Sequence, residues 1–241
     1  MSKIPDSPEQ IFTEFVNDCQ SAYPAELQAV VLYGSGARGE YVARKSDINF
    51  LVILTQNGID ALDKALPLVP KWRKQNVALP LFLTKEYILS SLDTFPLEFL
   101  DMKLFHKTVF GEDLLNDIQI EKKDLRLQLE RELRGKLIYL RNGFLQAGND
   151  REQLRQLLAT SVATFVSIFQ GLLHLKDVTI PKEKALIFDA ASTEFGLKKD
   201  VFTHVLNVKH GTWHGSKRQL QEITMDYIHE IKNLVEMVDR L

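Results

Sequence analysis

The sequence predicts an α+β chain of two domains: a mixed sheet with flanking helices over residues 1–118, then an all-α helical bundle over residues 119–241. Three observations predict it. Extended and helical patterns alternate up to about residue 118, and only helical periodicity follows. The 241 residues suffice for two modest cores. The charge divides at the same place: the first part carries 11 basic and 16 acidic side chains, the second 19 and 16. A mildly basic half beside an acidic one suits the binding of an anion.

The composition, 45% hydrophobic and 26% charged, excludes disordered, collagen-like and low-complexity classes. A single cysteine, Cys19, permits neither an intrachain disulfide nor a cysteine-built zinc site. The start Met1-Ser2-Lys3-Ile4-Pro5-Asp6 lacks the apolar core of a signal peptide, so the expected compartment is the cytoplasm.

In chain order, Ser7 followed by Gln10, Ile11, Phe12, Phe15 and Val16 reads as a helix with a capping box that ends near Pro24, with Cys19 on its apolar side. Val30–Tyr33 is a short strand running into Gly34-Ser35-Gly36. After a polar segment, Asp47–Leu54 is β-branched and aromatic, a second strand. A helix is expected over Gly58–Lys74. Val77–Thr84 is a third strand, interrupted by Pro80, which favours a sheet edge or a strand end. Phe95-Pro96 reads as a turn and Met102–Phe110 as a fourth strand.

From Glu121 to about Gln146, Leu129, Leu133, Leu137, Leu140 and Phe144 fall on one helical face. Leu127, Ile138 and Leu145 share a second face with Arg134 and Arg141, which predicts burial by two neighbours. Gln156–Leu175 is twenty residues without a formal charge, long enough to cross a bilayer. Its polar residues and the small-residue spacing Ala159, Ala163, Ser167, Gly171 instead predict a central bundle helix, and no membrane partner. Pro181, Gly196 and the stretch Gly211–Gly215 divide the remainder, and Ser216–Leu241 closes the chain as a last amphipathic helix.

The informative segment is Leu32-Tyr33-Gly34-Ser35-Gly36-Ala37-Arg38-Gly39-Glu40, followed by Asp47-Ile48-Asn49. It resembles the DNA polymerase β-type nucleotidyltransferase superfamily, in particular the small bacterial branch of aminoglycoside nucleotidyltransferases and minimal nucleotidyltransferases. The resemblance is close over about residues 27–54 and extends over 1–118 by element order. It implies a strand ending in a Gly-Ser phosphate turn, a short helix, and a strand opening with Asp-x-Asp. It also implies a Mg²⁺-dependent transfer of a nucleoside monophosphate from an NTP to an acceptor.

Physical chemistry accounts for such a motif. Glycine lets a triphosphate approach the backbone N–H groups at a helix start, and residues i and i+2 of a strand present two carboxylates on one face to Mg²⁺. By the resemblance, Gly34 and Ser35 match the phosphate turn, Arg38 the basic residue of the short helix, and Asp47 the first carboxylate. Asn49 stands where the second belongs; its amide oxygen can ligate Mg²⁺ but brings no charge. The third would lie on the strand containing Val77–Leu83, which has no acid. The carboxylate triad is thus degenerate, and fewer charged ligands mean weaker binding of a hard cation. Glu40, Glu98 and Asp101 are the candidates to replace a missing carboxylate.

The resemblance also implies a helical second domain that contributes to nucleotide or acceptor binding, with Arg134 or Arg141 expected on the phosphates; the alternative for these arginines is ion pairing with Glu130. The basic run Lys71-Trp72-Arg73-Lys74 closes a helix, where cations suit the dipole, so nucleic acid is not indicated. His210 and His214 have zinc-like spacing, but Gly211 and Gly215 oppose a continuous helix and no third ligand is apparent. Three functions follow: a nucleotidyltransferase acting on an unknown acceptor, a nucleotide-binding relative without catalysis, or a regulatory, antitoxin-like protein with a protein partner. A homo-oligomer is compatible with each.

Overall fold

A computed structural model describes residues 4–241, the side chains of Ala163, Lys184 and Ala185 excepted. Met1, Ser2 and Lys3 of the N-terminal stretch read for a leader lie outside the described residues. The chain divides into a first unit ending at Ile120 and a second, Glu121–Leu241.

The first unit runs α1 (Phe12–Ala22), β1 (Leu27–Tyr33), β2 (Asn49–Leu54), α2 (Gln56–Ile59), α3 (Val69–Lys74), β3 (Leu81–Leu83), α4 (Lys85–Ser90), α5 (Pro96–Leu104) and β4 (His106–Gly111). The sheet order is β3-β2-β1-β4. β1 pairs antiparallel with β2 and β4, and β3 joins β2 in parallel. Alternate residues of the two central strands point to opposite faces, so each face has its own core. Val30, Leu32, Phe50 and Val52 pack with Phe15, Cys19 and Trp72. Val31, Leu51 and Ile53 pack with Ile88 of α4 and with Phe99 and Met102 of α5. On the first face, Phe15 stacks on Phe50 with ring centroids 4.1 Å apart.

Several expectations are corrected. Residues 58–74 are not one helix: α2, a 3₁₀ turn over Leu62–Ala65, and α3 replace it. Pro67 and Pro70 lack the N–H that a continuous helix would need there. The basic end of α3 is a structural anchor, since Lys71 bonds both oxygens of Asp18 at 2.7 Å and the Trp72 indole donates to Asp18 at 3.0 Å. The third strand shrinks to Leu81–Leu83 at the sheet edge, with one isolated bridge, Ile48 to Val77, beyond Pro80. Phe95-Pro96 opens helix α5 with proline in its first turn, a position where the missing N–H costs nothing, and the fourth strand starts only at His106. The Ser7 capping box does not close, because Gln10 Oε1 accepts from the Asp6 N–H at 2.9 Å instead.

The second unit is all helix among the described residues: α6 (Lys122–Ala147), α7 (Arg151–Leu175), α8 (Lys184–Glu194), α9 (Lys199–His210) and α10 (Lys217–Val238). Asp150 caps α7, accepting from the N–H groups of Glu152 and Gln153. Ser216 and Gln219 form a complete capping box on α10. Gly211, in the left-handed conformation at φ 74°, ends α9; His210 therefore sits at a helix end and His214 beyond it. The predicted face of α6 is buried at Leu129, Leu133, Leu137 and Leu140. Its second face is not: Leu127, Ile138 and Leu145 are 62%, 59% and 76% exposed. Apolar spacing marks a face, but burial needs a neighbour to cover it, and these three side chains stay exposed.

Helix α7 is long and apolar enough to cross a membrane, yet 71% of its most apolar window is buried within the protein. Phe165 and Phe169 meet Phe188, Phe202 and Tyr227 in an aromatic cluster with centroids 5.0–5.8 Å apart. The buried Ser161 and Tyr227 hydroxyls bond each other at 3.1 Å.

Candidate functional site

The site residues gather where β1 ends and β2 begins. Tyr33, the last residue of β1, lies opposite Asn49 on one side and His106 on the other. Opposed residues of neighbouring strands share a face, so these three side chains form a row on the face covered by α5. The chain then turns at Gly34, whose φ of 71° is left-handed. Glycine is required there for a second reason: a Cβ would stand 3.2 Å from Asn49 Nδ2. The turn and Asn49, the residue expected as a metal ligand, thus touch.

Residues 34–39 form consecutive turns and not the expected short helix. The carbonyl of Gly34 accepts from the N–H groups of Ala37 and Arg38, and that of Ser35 from Glu40. Gly39, left-handed at φ 77°, prevents the helix from continuing. Among the described residues the N–H groups of Ser35 and Gly36 donate to no protein acceptor. Successive N–H groups left over by a turn of this kind make a concave nest for an anion.

Asp47 is exposed and precedes β2, which starts at Asn49. Its backbone is held from both sides by Asn76, a residue the sequence reading missed. The Asn76 amide donates to the Ser46 carbonyl at 2.7 Å, and its own carbonyl accepts from the Ile48 N–H at 2.9 Å. Asn76 has φ 62°, a conformation asparagine tolerates better than most residues. The available signal was its place between a basic helix end and a strand. Asn49 Nδ2 also faces the Asp47 carbonyl at 3.5 Å, which leaves its Oδ1 as the acceptor.

Arg38 is neither solvated nor pointed freely at a ligand. Its side chain is 6% exposed, pairs with the Asp101 carboxylate on α5, and lies 3.7 Å over the Phe105 ring. Asp101, a candidate replacement carboxylate, is therefore engaged by Arg38, and Glu98 is exposed on α5. Glu40 is half-buried directly after the turn. The N-terminal segment packs on the turn as well: a Cβ at Gly36 would meet the Pro8 ring at 3.2 Å, and Tyr41 donates to the Pro5 carbonyl at 3.0 Å. Burial, with Asp6 and Asp47 nearby, pushes the Tyr41 phenol up. Burial alone raises Tyr33.

The donor set does not fit a resident pair of Mg²⁺ ions. Asp47 supplies one charge, Asn49 an amide oxygen, and the strand beside them only apolar residues; Ala78 is the residue bonded to Ile48. Among the described residues no three His, Cys, Asp or Glu side chains converge as a metal site, His210 and His214 included. Arg134 and Arg141 both lie on α6, in the helical unit. Arg134 pairs with Glu130 at 2.8 Å and with Asp239 at 3.0 Å, whereas Arg141 borders an apolar groove with Phe144, Leu145 and Met225.

The four-stranded mixed sheet with its Gly-Ser turn, followed by helices, defines a nucleotidyltransferase-type fold. The solved structure of the spectinomycin adenyltransferase AAD(9) from Enterococcus faecialis, with ATP and spectinomycin, is similar to this chain with a TM-score of 0.53. The two are 14% identical over 95% of this chain and 99% of that one. No protein-family model matches the sequence, and no curated protein matches it.

Proposed function

We propose that this protein binds a nucleoside triphosphate at the Gly34–Ser35 turn and that metal-dependent nucleotidyl transfer to an acceptor is weakened or lost. The observation that carries the binding half is the pair of unused N–H groups at Ser35 and Gly36, following a left-handed glycine. The ATP bound to the adenyltransferase of similar fold supports the same reading. The catalytic half rests on charge. With Asp47 as the one carboxylate at the strand start, two divalent cations lack the ligands that would hold them against water. Asp47 and Asn49 instead border the phosphates, Asn49 through its amide.

Calorimetry with each NTP, with and without Mg²⁺, and label transfer to a panel of acceptors test this together. The expected result is NTP binding that Ser35→Pro abolishes by removing an N–H, with no transfer by the unaltered protein. Mg²⁺-dependent transfer that Asp47→Ala abolishes would overturn the loss of catalysis. Absence of NTP binding would overturn the proposal as a whole. An Arg134→Ala, Arg141→Ala double variant with unchanged NTP affinity would remove those arginines from the site.

A further inference from the structure

Within the helical unit, α6 and α7 enclose two cavities of about 420 and 410 Å³ that share Tyr139 and Thr160, and so form one elongated groove. Its α7 wall is the polar stripe of an otherwise apolar helix: Gln153, Gln156, Thr160 and Thr164 recur at helical spacing and are exposed. Its α6 wall carries Arg131, Lys136 and a half-exposed Tyr139. Among the described residues neither Arg131 nor Lys136 forms an ion pair, unlike Arg126 and Arg134 on the same helix.

Two glycines lie within α6 on this side, and glycine inside a helix is unfavourable without a compensating reason. Gly143 has one, since a Cβ there would collide with Leu157 of α7. Gly135 has none in the packing: a Cβ would meet nothing within 4 Å. It lies between Arg131 and Tyr139 in the groove lining and is exposed, and what it provides is open space beside an aromatic ring and two cations.

We propose that this groove of the helical unit is a further ligand site, and that it takes a polyhydroxylated ring bearing a phosphate. Arg131 and Lys136 hold the phosphate. The ring lies over Gly135 against Tyr139, and Thr160, Thr164 and Glu132 bond its hydroxyls. Such a ligand is either a sugar phosphate or the ribose phosphate of a nucleotide.

Calorimetry on the full chain with glucose 6-phosphate and with AMP separates the two sources. Binding of either probe is expected to weaken by about tenfold or more in Arg131→Gln with Lys136→Gln, as for loss of charge-assisted bonds. Gly135→Met fills this space and is expected to abolish binding while raising the melting temperature, because methionine favours helix. That gain excludes misfolding as the cause of the loss. The proposal is overturned if neither probe binds, or if Gly135→Met binds like the unaltered protein. AMP binding that survives Gly135→Met, without any glucose 6-phosphate binding, belongs to the Gly34 turn and also overturns it.

Discussion

The α-carbon of Gly34 lies against the side-chain amide of Asn49, close enough that a Cβ would stand 3.2 Å from Nδ2. The Gly34 turn and the strand start are therefore one packed unit. A side chain at 34 must both enter a left-handed conformation and displace the amide. Gly34→Ala is expected to cost about 1–2 kcal/mol in urea unfolding and to weaken NTP binding in parallel. Unchanged stability would show that the turn relaxes freely.

Asn76 acts on the other side of Asp47. Asn76→Ala loses a hydrogen bond and the tolerance for φ 62°, an expected cost of about 2 kcal/mol. Asn76→Gly keeps the conformation and loses only the bond, about 1 kcal/mol. If the two variants are equally stable, strain has no part in the clamp.

The Arg38–Asp101 pair joins the turn to α5 with side-chain exposures of 6% and 25%. Removing Arg38 takes its charge from a half-buried Asp101, so Arg38→Met should destabilise by about 1–3 kcal/mol. The double variant Arg38→Met, Asp101→Leu should recover part of that loss. A double-mutant cycle with no coupling energy would refute the pairing.

Much of this arrangement was legible beforehand, and the reasons differ by residue. That Gly34, Ser35, Asp47 and Asn49 gather where β1 ends and β2 begins was legible because a strand, a glycine turn and a second strand are close in sequence. The pairing of Arg38 with Asp101 was not, because 63 residues separate them and only the tertiary fold brings α5 over the turn. Local propensity also failed where proline decides: Pro67 and Pro70 split one expected helix, while Pro96 began another. The apolar stripe Leu127, Ile138, Leu145 misled because periodicity reports a face without saying whether anything covers it.

Burial pushes the Asp113 carboxyl up, but the hydrogen bond and charge of His106, 2.9 Å away, together with the Asn116 N–H and Thr108, outweigh it and hold the group below the ordinary carboxylate range. A folded value below the unfolded one stabilises the protein at pH above the ordinary range, and that contribution is lost as pH falls through the lowered value. His106→Ala should move the Asp113 titration upward, as followed by carboxyl NMR shifts. No movement would show that His106 is not the cause.

Burial pushes the Cys19 thiol up to about 12, and its side chain has no exposed surface. Because the thiolate is the reactive form, the folded protein should resist a thiol reagent at pH 8 and react only on unfolding. Rapid labelling of native protein would mean that α1 opens locally.

Helix α7 has its own bearing on biosynthesis. Its most apolar face is covered by Phe188, Phe202 and Tyr227, which all lie downstream in the chain. During translation a segment apolar enough for a bilayer therefore leaves the ribosome before the aromatic residues that cover it exist. Until α10 emerges, the nascent helical unit presents to chaperones and to the membrane-insertion machinery the same surface that the finished protein conceals.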